Sequence, residues 1–222
     1  MANVAINGLG RIGRATLKLI MDNPALELVA VNDLADAEQL AYLLRYDSAY
    51  GRYHKEVASR EGDLVIDGKR IRIFNQKEPE KLPWRELDVD IAFECTGVFT
   101  NREGTEKHLK AGAKKAILSA PSKSDGMQFV VPGVNESSED AFSTASCTTN
   151  CITPVMEIMG RRIGVKKAIL NTIHAYTSSQ SIVDGPAKKL ERGRAGAANL
   201  VPTSTGAAKA TTKVLTHFEG RF

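Results

Sequence analysis

Cysteine is scarce in this chain, with three among 222 residues: Cys95, Cys147 and Cys151. An odd count, without the paired spacing of a zinc site or a secreted disulfide framework, argues against both. It points to a reducing compartment, so a cytoplasmic location and no metal are expected. Long apolar runs are also missing. No stretch approaches the roughly 18 residues of a membrane-spanning helix, and the first twenty or so residues lack a basic region ahead of an apolar one, so neither a signal peptide nor a membrane partner is expected. Proline is low, 8 against 18 glycines, and with 42% hydrophobic and 25% charged residues the composition argues against disordered, collagen-like and coiled-coil classes. Charge of one sign is lacking too. Thirty Lys and Arg against 26 Asp and Glu leave +4, which does not demand nucleic acid or an anionic membrane. The length suits one domain plus part or all of another.

What is present alternates in type. Asn3–Asn7 reads as a buried strand and Arg11–Met21 as a helix, with Ile12, Ala15 and Leu19 at helical spacing. Leu26–Val31 is a second strand, and Asp36–Leu44 a second helix with Leu40, Leu43 and Leu44 on one side. Between Lys55 and Phe74, Asp67-Gly68 signals an antiparallel hairpin. Strands at Val89–Glu94, Lys115–Ser119 and Phe129–Val131 then enclose a helix at Arg102–Ala111. This order predicts an α/β fold, a Rossmann-type doubly wound, mostly parallel sheet. Near Ser146 the pattern changes. Thr148–Ile163 reads as a long amphipathic helix with apolar positions at Ile152, Val155, Met156, Met159 and Ile163, stopped by Gly164. Lys166–Tyr176 reads as a strand, residues 177–199 as a long polar loop and Ala207–Leu215 as a helix. The expected domains are 1–146 and 147–222.

Gly8-Leu-Gly10-Arg11-Ile12-Gly13 lies between the first strand and the first helix, the setting in which a G-x-G-x-x-G run binds a dinucleotide. Gly8 permits the tight turn, Gly10 lets the backbone approach a pyrophosphate, and Gly13 lets the helix pack on the strand. Asp33, about twenty residues on at the end of the second strand, suits a ribose diol and repels a 2′-phosphate, favouring NAD over NADP. The plainer alternative is a glycine turn with an Asp flanking a helix.

Cys147 stands at the entry to the long helix, where backbone N–H groups favour a thiolate; a small core residue is the plainer alternative. Cys151, one turn deeper, reads as buried and inert, and Cys95 as a core residue. His174, near the end of the next strand, is of the residue type that serves cysteine chemistry as base. His54, His108 and His217 read as solvent-facing. Lys188, Lys189, Arg192 and Arg194 occupy the long loop, and Thr203-Ser-Thr205-Gly206 precedes the last helix. No aromatic interleaves these cations, and Asp184 and Glu191 interrupt them, which disfavours nucleic acid. Cations, hydroxyls and a helix N-terminus together suit a phosphorylated small molecule; a solvated loop is the bland alternative.

Asn7-Gly-Leu-Gly-Arg-Ile-Gly13, Ser146-Cys-Thr-Thr-Asn150, His174-Ala-Tyr-Thr177 and Pro202-Thr-Ser-Thr-Gly-Ala-Ala208 occur in this order. With them the chain resembles the phosphorylating glyceraldehyde-3-phosphate dehydrogenase family from end to end. The resemblance implies that Cys147 attacks the aldehyde of glyceraldehyde 3-phosphate, that His174 takes the proton, and that phosphate cleaves the resulting thioester. It implies NAD contacts from Arg11, Ile12, Asp33, Lys77, Thr96 and Ser119. It also implies substrate or phosphate contacts from Thr177, Ser146, Thr148, Thr205, Gly206 and Arg192. The long loop looks like one that packs at a subunit interface, so a homotetramer is implied for a full-length chain. Two departures stand out. Ser179 occupies a position where many members have Asp, and the chain stops soon after Ala208, so the resemblance implies a complete cofactor domain and only the first part of an α+β catalytic domain. Erythrose-4-phosphate dehydrogenase is the nearest rival within the enzyme class. A non-catalytic NAD-binding or interaction module is the rival outside it.

Overall fold

The computed structural model describes residues 1–222. The chain divides into two compact units, Met1–Asn150 and Cys151–Phe222.

The first unit runs through β1 (Ala2–Asn7), α1 (Arg11–Met21), β2 (Leu26–Asn32), α2 (Ala37–Arg45), β3 (Tyr46–Asp47), β4 (Gly51–Arg52), β5 (Val57–Arg60), β6 (Asp63–Ile66), β7 (Lys69–Phe74), β8 (Ile91–Glu94), α3 (Arg102–Lys110), β9 (Lys115–Leu118) and β10 (Ala141–Ser143). Eight strands form one sheet in the order β10-β9-β8-β1-β2-β7-β6-β5, and β3 and β4 pair separately. Counted among themselves, the six parallel strands take the order 3-2-1-4-5-6. This is the dinucleotide-binding topology, and it reverses direction between β1 and β8, opening a crevice at their carboxyl ends.

Both faces of the sheet are covered, and β1 shows why the fold forms. Val4 and Ile6 point into a cluster with Leu17, Ile20, Leu40 and Leu44, while Ala5 points into the opposite cluster with Trp84, Val89 and Ala92. This is the two-residue alternation of a strand buried on both sides. Helix α1 buries Gly13, Leu17 and Ile20, not the expected face; Ile12 and Leu19 are 48% and 73% exposed. The reason is Gly13. A Cβ there would lie 1.9 Å from the carbonyl oxygen of Gly8, so the helix docks through its glycine, and the residues four and seven further on follow it inward. In α2, Leu40 and Leu44 are buried as expected and Leu43 is exposed. The Asp36 side chain caps this helix by accepting the Gln39 N–H at 2.9 Å.

The hairpin at Asp67-Gly68 forms between β6 and β7, with φ of 46° and 80° at its two turn residues, the left-handed pair of a type I′ turn. The strand expected at Phe129–Val131 does not form beyond a single bridge from Phe129 to Ser143. Asn135 explains this: its side chain accepts the Val131 N–H at 2.8 Å and donates to the Phe129 carbonyl at 2.8 Å, occupying groups a ladder would need. The sheet edge is instead β10, which the sequence reading did not mark.

Helix α4 (Cys147–Arg162) begins in the first unit and continues into the second, where α5 (Ala207–Val214) follows. Gly164, with φ of 83°, closes α4 as expected, its N–H reaching the Met159 carbonyl at 3.0 Å. Within the second unit, Thr153 Oγ1 and Thr211 Oγ1 lie 3.0 Å apart and fully buried. The Phe218 ring fills the space that a side chain at Gly160 would take. Of the apolar positions expected to face a core, Met156 is buried, whereas Val155, Met159 and Ile163 are exposed, as is Ile158. Cys151 is also exposed, contrary to expectation, because it follows Cys147 by one turn on the same face. The strand expected at Lys166–Tyr176 is absent. No strand follows β10 in the chain, so there is no ladder for this segment to join, and Ile169 and Ile173 are 98% and 95% exposed. No helix is long and apolar enough to cross a membrane.

Candidate active site

The loop after β1 is built around its glycines. Gly8 has φ of 92°, and a Cβ on it would meet the Thr96 backbone at 2.8 Å, so β1 and the turn after β8 close against each other only with glycine there. Gly10 precedes the first turn of α1 and has nothing within 4 Å of where a Cβ would sit. The first intrahelical bond is donated by Arg14 N, to the Gly10 carbonyl. The N–H groups of Arg11, Ile12 and Gly13 therefore have no partner within the helix and can receive an anion.

Asp33 follows β2 and faces this loop. Its Oδ2 accepts the Leu9 N–H at 2.7 Å and its Oδ1 the Ala35 N–H at 2.9 Å. Beside it lies a cavity of about 350 Å³ at the switch between β1 and β8. Of the expected cofactor residues, Gly8, Gly10, Asp33, Lys77 and Thr96 line it. Asn7, Asn32, Leu34, Gln76, Val98 and Phe99 line it as well; the signal for the two asparagines was a polar residue ending an apolar strand. Ser119, at the end of β9, does not line the cavity and is hydrogen-bonded to Cys95. A glycine cradle, unpaired N–H groups and a carboxylate placed for a diol fit a dinucleotide such as NAD. A larger cavity of about 410 Å³ lies near Arg45, Arg52 and Arg60. Position at the strand ends, not volume, identifies the candidate site.

Cys147 is the first residue of α4 and is exposed. Ser146 precedes it as the cap, its Oγ accepting the Thr149 N–H at 3.1 Å and lying 2.7 Å from Thr149 Oγ1. Asn150 Nδ2 donates to the carbonyls of Thr144 and Ser146 at 2.7 and 2.9 Å, clipping the loop that presents the thiol. The Cys147 sulfur lies 4.0 Å from Thr148 Oγ1. Cys95 is a buried core residue as expected, and burial pushes its thiol up to about 11, against the smaller opposing pull of its Ser119 hydrogen bond.

In the second unit, His174 is exposed and its Nδ1 lies 2.7 Å from the Ala175 carbonyl oxygen. A carbonyl only accepts, so the proton is on Nδ1 and Nε2 is the basic nitrogen. Arg192 donates from Nη1 to Ser179 Oγ at 2.7 Å and from Nη2 to Thr203 Oγ1, while Ser179 Oγ lies 3.0 Å from Thr177 Oγ1. Two residues expected at a phosphate site, Thr177 and Arg192, are thus brought together by Ser179, the position of departure. Thr205 Oγ1 accepts the Ala207 N–H at 3.2 Å, and Gly206 precedes α5. Cys147 and His174 belong to different units.

Of the other histidines, His54 and His217 are exposed as expected. His108 is not. It is fully buried, between the Trp84 indole and the Glu94 carboxylate, because the polar ends of two apolar segments need a partner that both accepts and donates.

Comparison with known proteins bears on the whole chain. Residues 2–102 match the family model described as glyceraldehyde 3-phosphate dehydrogenase, NAD binding domain, and residues 146–222 match its C-terminal domain. The chain is 46% identical over 227 residues to glyceraldehyde-3-phosphate dehydrogenase of Clostridium pasteurianum, covering all of this chain and 68% of that protein. It is 47% identical over 220 residues to the enzyme of that name from Thermotoga maritima, covering 96% of this chain and 66% of the relative. Glyceraldehyde-3-phosphate dehydrogenase 1 of Kluyveromyces lactis is 48% identical over 226 residues, with 100% and 68% covered. Two family models, one spanning the glycine loop and one the cysteine helix, and relatives matched along 96–100% of the sequence, show that this chain belongs to the glyceraldehyde-3-phosphate dehydrogenase family, NAD-dependent oxidoreductases of glycolysis.

Proposed function

We propose that this chain carries the chemistry of its family, the oxidation of glyceraldehyde 3-phosphate by NAD with capture of the product as an acyl phosphate. The observation that carries the reading is Cys147 on the first turn of α4, exposed on a loop clipped by Asn150. The backbone dipoles at a helix start favour a thiolate there. The residues 1–146 form the cofactor domain and 147–222 the catalytic part.

The thiolate of Cys147 attacks the aldehyde carbon, forming a C–S bond as the carbonyl oxygen takes up a proton from the His174 imidazolium, which gives a thiohemiacetal. His174 Nε2 takes the proton from its oxygen, since Nδ1 is already committed to the Ala175 carbonyl. The chemistry that bound NAD supplies is acceptance of the hydride from the same carbon. Arg11, Ile12 and Gly13 hold the pyrophosphate through their backbone, Asp33 the adenine ribose, and Lys77, Thr96 and Ser119 complete the groove. Inorganic phosphate then attacks the thioester carbon and the C–S bond breaks, returning the thiolate. Thr177 and Arg192, linked through Ser179, bind the phosphates, and Ser146, Thr148, Thr205 and Gly206 supply the further substrate and phosphate contacts that the family resemblance implies. A homotetramer, with residues 177–199 at a subunit contact, and a cytoplasmic location belong to the same reading.

The test is formation of NADH, followed by its near-ultraviolet absorbance, from NAD, phosphate and glyceraldehyde 3-phosphate. Cys147→Ser abolishes it while leaving NAD binding intact. An equal rate in that variant refutes the assignment of Cys147.

A further inference from the structure

Glu94 is an acid with no exposed surface at the end of β8, and nothing in the cysteine chemistry uses it. In the register of the sheet it stands opposite Asn7, which in turn stands opposite Asn32. Three polar side chains therefore form a row across β2, β1 and β8, directly beneath the cavity. Asn32 Nδ2 donates to Asn7 Oδ1 at 2.7 Å, and Asn7 Nδ2 donates to Glu94 Oε2 at 2.6 Å. Asn32 also grips Gln76, accepting its N–H at 2.8 Å and donating to its carbonyl at 2.9 Å. The other oxygen, Glu94 Oε1, accepts the Thr96 N–H at 2.8 Å and the Thr96 hydroxyl.

Behind the row, His108 Nε2 lies 3.0 Å from Glu94 Oε2, and Trp84 Nε1 lies 3.0 Å from His108 Nδ1. An indole N–H only donates, so Nδ1 accepts and the ring proton sits on Nε2, directed at the carboxylate. Donation thus converges on Glu94 from both sides, from Trp84 through His108 and from Asn32 through Asn7, with the Asn32 amide oriented by the Gln76 backbone. Asn7, Asn32, Gln76 and Thr96 line the cavity, whereas Glu94, His108 and Trp84 do not.

We propose that Glu94, oriented from behind by His108 and Trp84, is the positioning residue of the dinucleotide pocket. It fixes the amide of Asn7, the hydroxyl of Thr96 and, through Asn32, the backbone of Gln76 in one arrangement before cofactor arrives, so that ordering them costs nothing on binding. This inference rests on the reading of that cavity as the NAD site. A carboxylate is required because donors face both of its oxygens. Glutamine would turn an NH₂ toward either Thr96 or the Asn7–His108 pair. Flipping Asn7 to compensate would confront Asn32 with the wrong partner, and the error would pass along the row.

The test is NAD titration of the chain by calorimetry, with Glu94→Gln beside the unmutated protein. The variant binds NAD about tenfold or more weakly, while the Cys147 thiol is alkylated at the unmutated rate. The indole N–H resonance of Trp84, the one tryptophan in the sequence, shifts in the folded Glu94→Gln variant, in which His108 has lost its carboxylate acceptor. A folded Glu94→Gln variant with unchanged NAD affinity overturns the proposal, and so does an indole resonance that Glu94→Gln leaves in place. If the unmutated chain binds no NAD at all, the pocket assignment falls first and takes this inference with it.

Discussion

The carboxylate of Asp33 is tied to the backbone of Leu9, its Oδ2 accepting that N–H at 2.7 Å. The residue proposed to select the cofactor thus also holds the loop proposed to receive its pyrophosphate. Asp33→Asn removes the charge that repels a 2′-phosphate but keeps one oxygen for Leu9 or Ala35. The ratio of kcat/KM for NADP to that for NAD should rise by about tenfold or more. An unchanged ratio would remove Asp33 from the cofactor site. Asp33→Gly should raise the ratio too, and lower Tm as well, because the loop loses both contacts.

The glycines of the loop should separate by kind. At Gly13 a methyl would collide with the Gly8 carbonyl at 1.9 Å, so Gly13→Ala should destabilise the first unit by about 2–4 kcal/mol, seen in urea unfolding. Gly10 has open space beside it. Gly10→Ala should therefore unfold at nearly the same urea concentration as the unmutated chain and yet bind NAD poorly, since its methyl occupies the approach of the pyrophosphate.

The three thiols should react in two classes. Burial pushes Cys95 up to about 11, against an ordinary thiol value of about 8.5, whereas Cys147 and Cys151 are exposed. At about pH 8, iodoacetamide followed by peptide mass spectrometry should find Cys147 and Cys151 labelled and Cys95 spared until the chain is unfolded. Labelling of Cys95 at the rate of the others in folded protein would contradict its placement.

Acid should act on the β6–β7 hairpin through Asp63. Burial raises its pKa, but the Ile73 N–H at 2.9 Å and the Arg70 guanidinium at 2.6 Å outweigh burial and hold it below the usual value. A carboxylate depressed in the folded state contributes stability above its unfolded value of about 3.9, and that contribution is lost as pH falls through the folded value. Melting profiles between about pH 5 and pH 2 should fall less steeply for Asp63→Asn than for the unmutated chain. Parallel profiles would show that another carboxylate governs the acid limb.

The parallel sheet and its loop were legible because they rest on local signals. Arg11–Met21 has the expected bounds, and Asp67-Gly68 turns as its residue types demand. What failed depended on partners far away in sequence. The buried face of α1 is set by a backbone contact between Gly13 and Gly8 that outranks the exposed Ile12 and Leu19. Phe129–Val131 has strand-like residues, but Asn135 takes its backbone groups. Lys166–Tyr176 has a strand-like pattern and no strand beside it. Of the residues that line the candidate cavity, Gly8, Gly10, Asp33, Lys77 and Thr96 were readable by motif and resemblance. His108 was not, because its environment is supplied by Trp84 and Glu94, residues 24 and 14 positions away.

The buried pair Thr153–Thr211 has a bearing on the start of α5. An apolar contact tolerates sliding and rolling, whereas two hydroxyls 3.0 Å apart define an azimuth. Rolling α5 by one residue, about 100° of rotation, would strand both hydroxyls in a dry interior. The pair therefore works as a key in a slot, and the direction in which Thr205 and Gly206 present themselves is decided well inside the helix they precede.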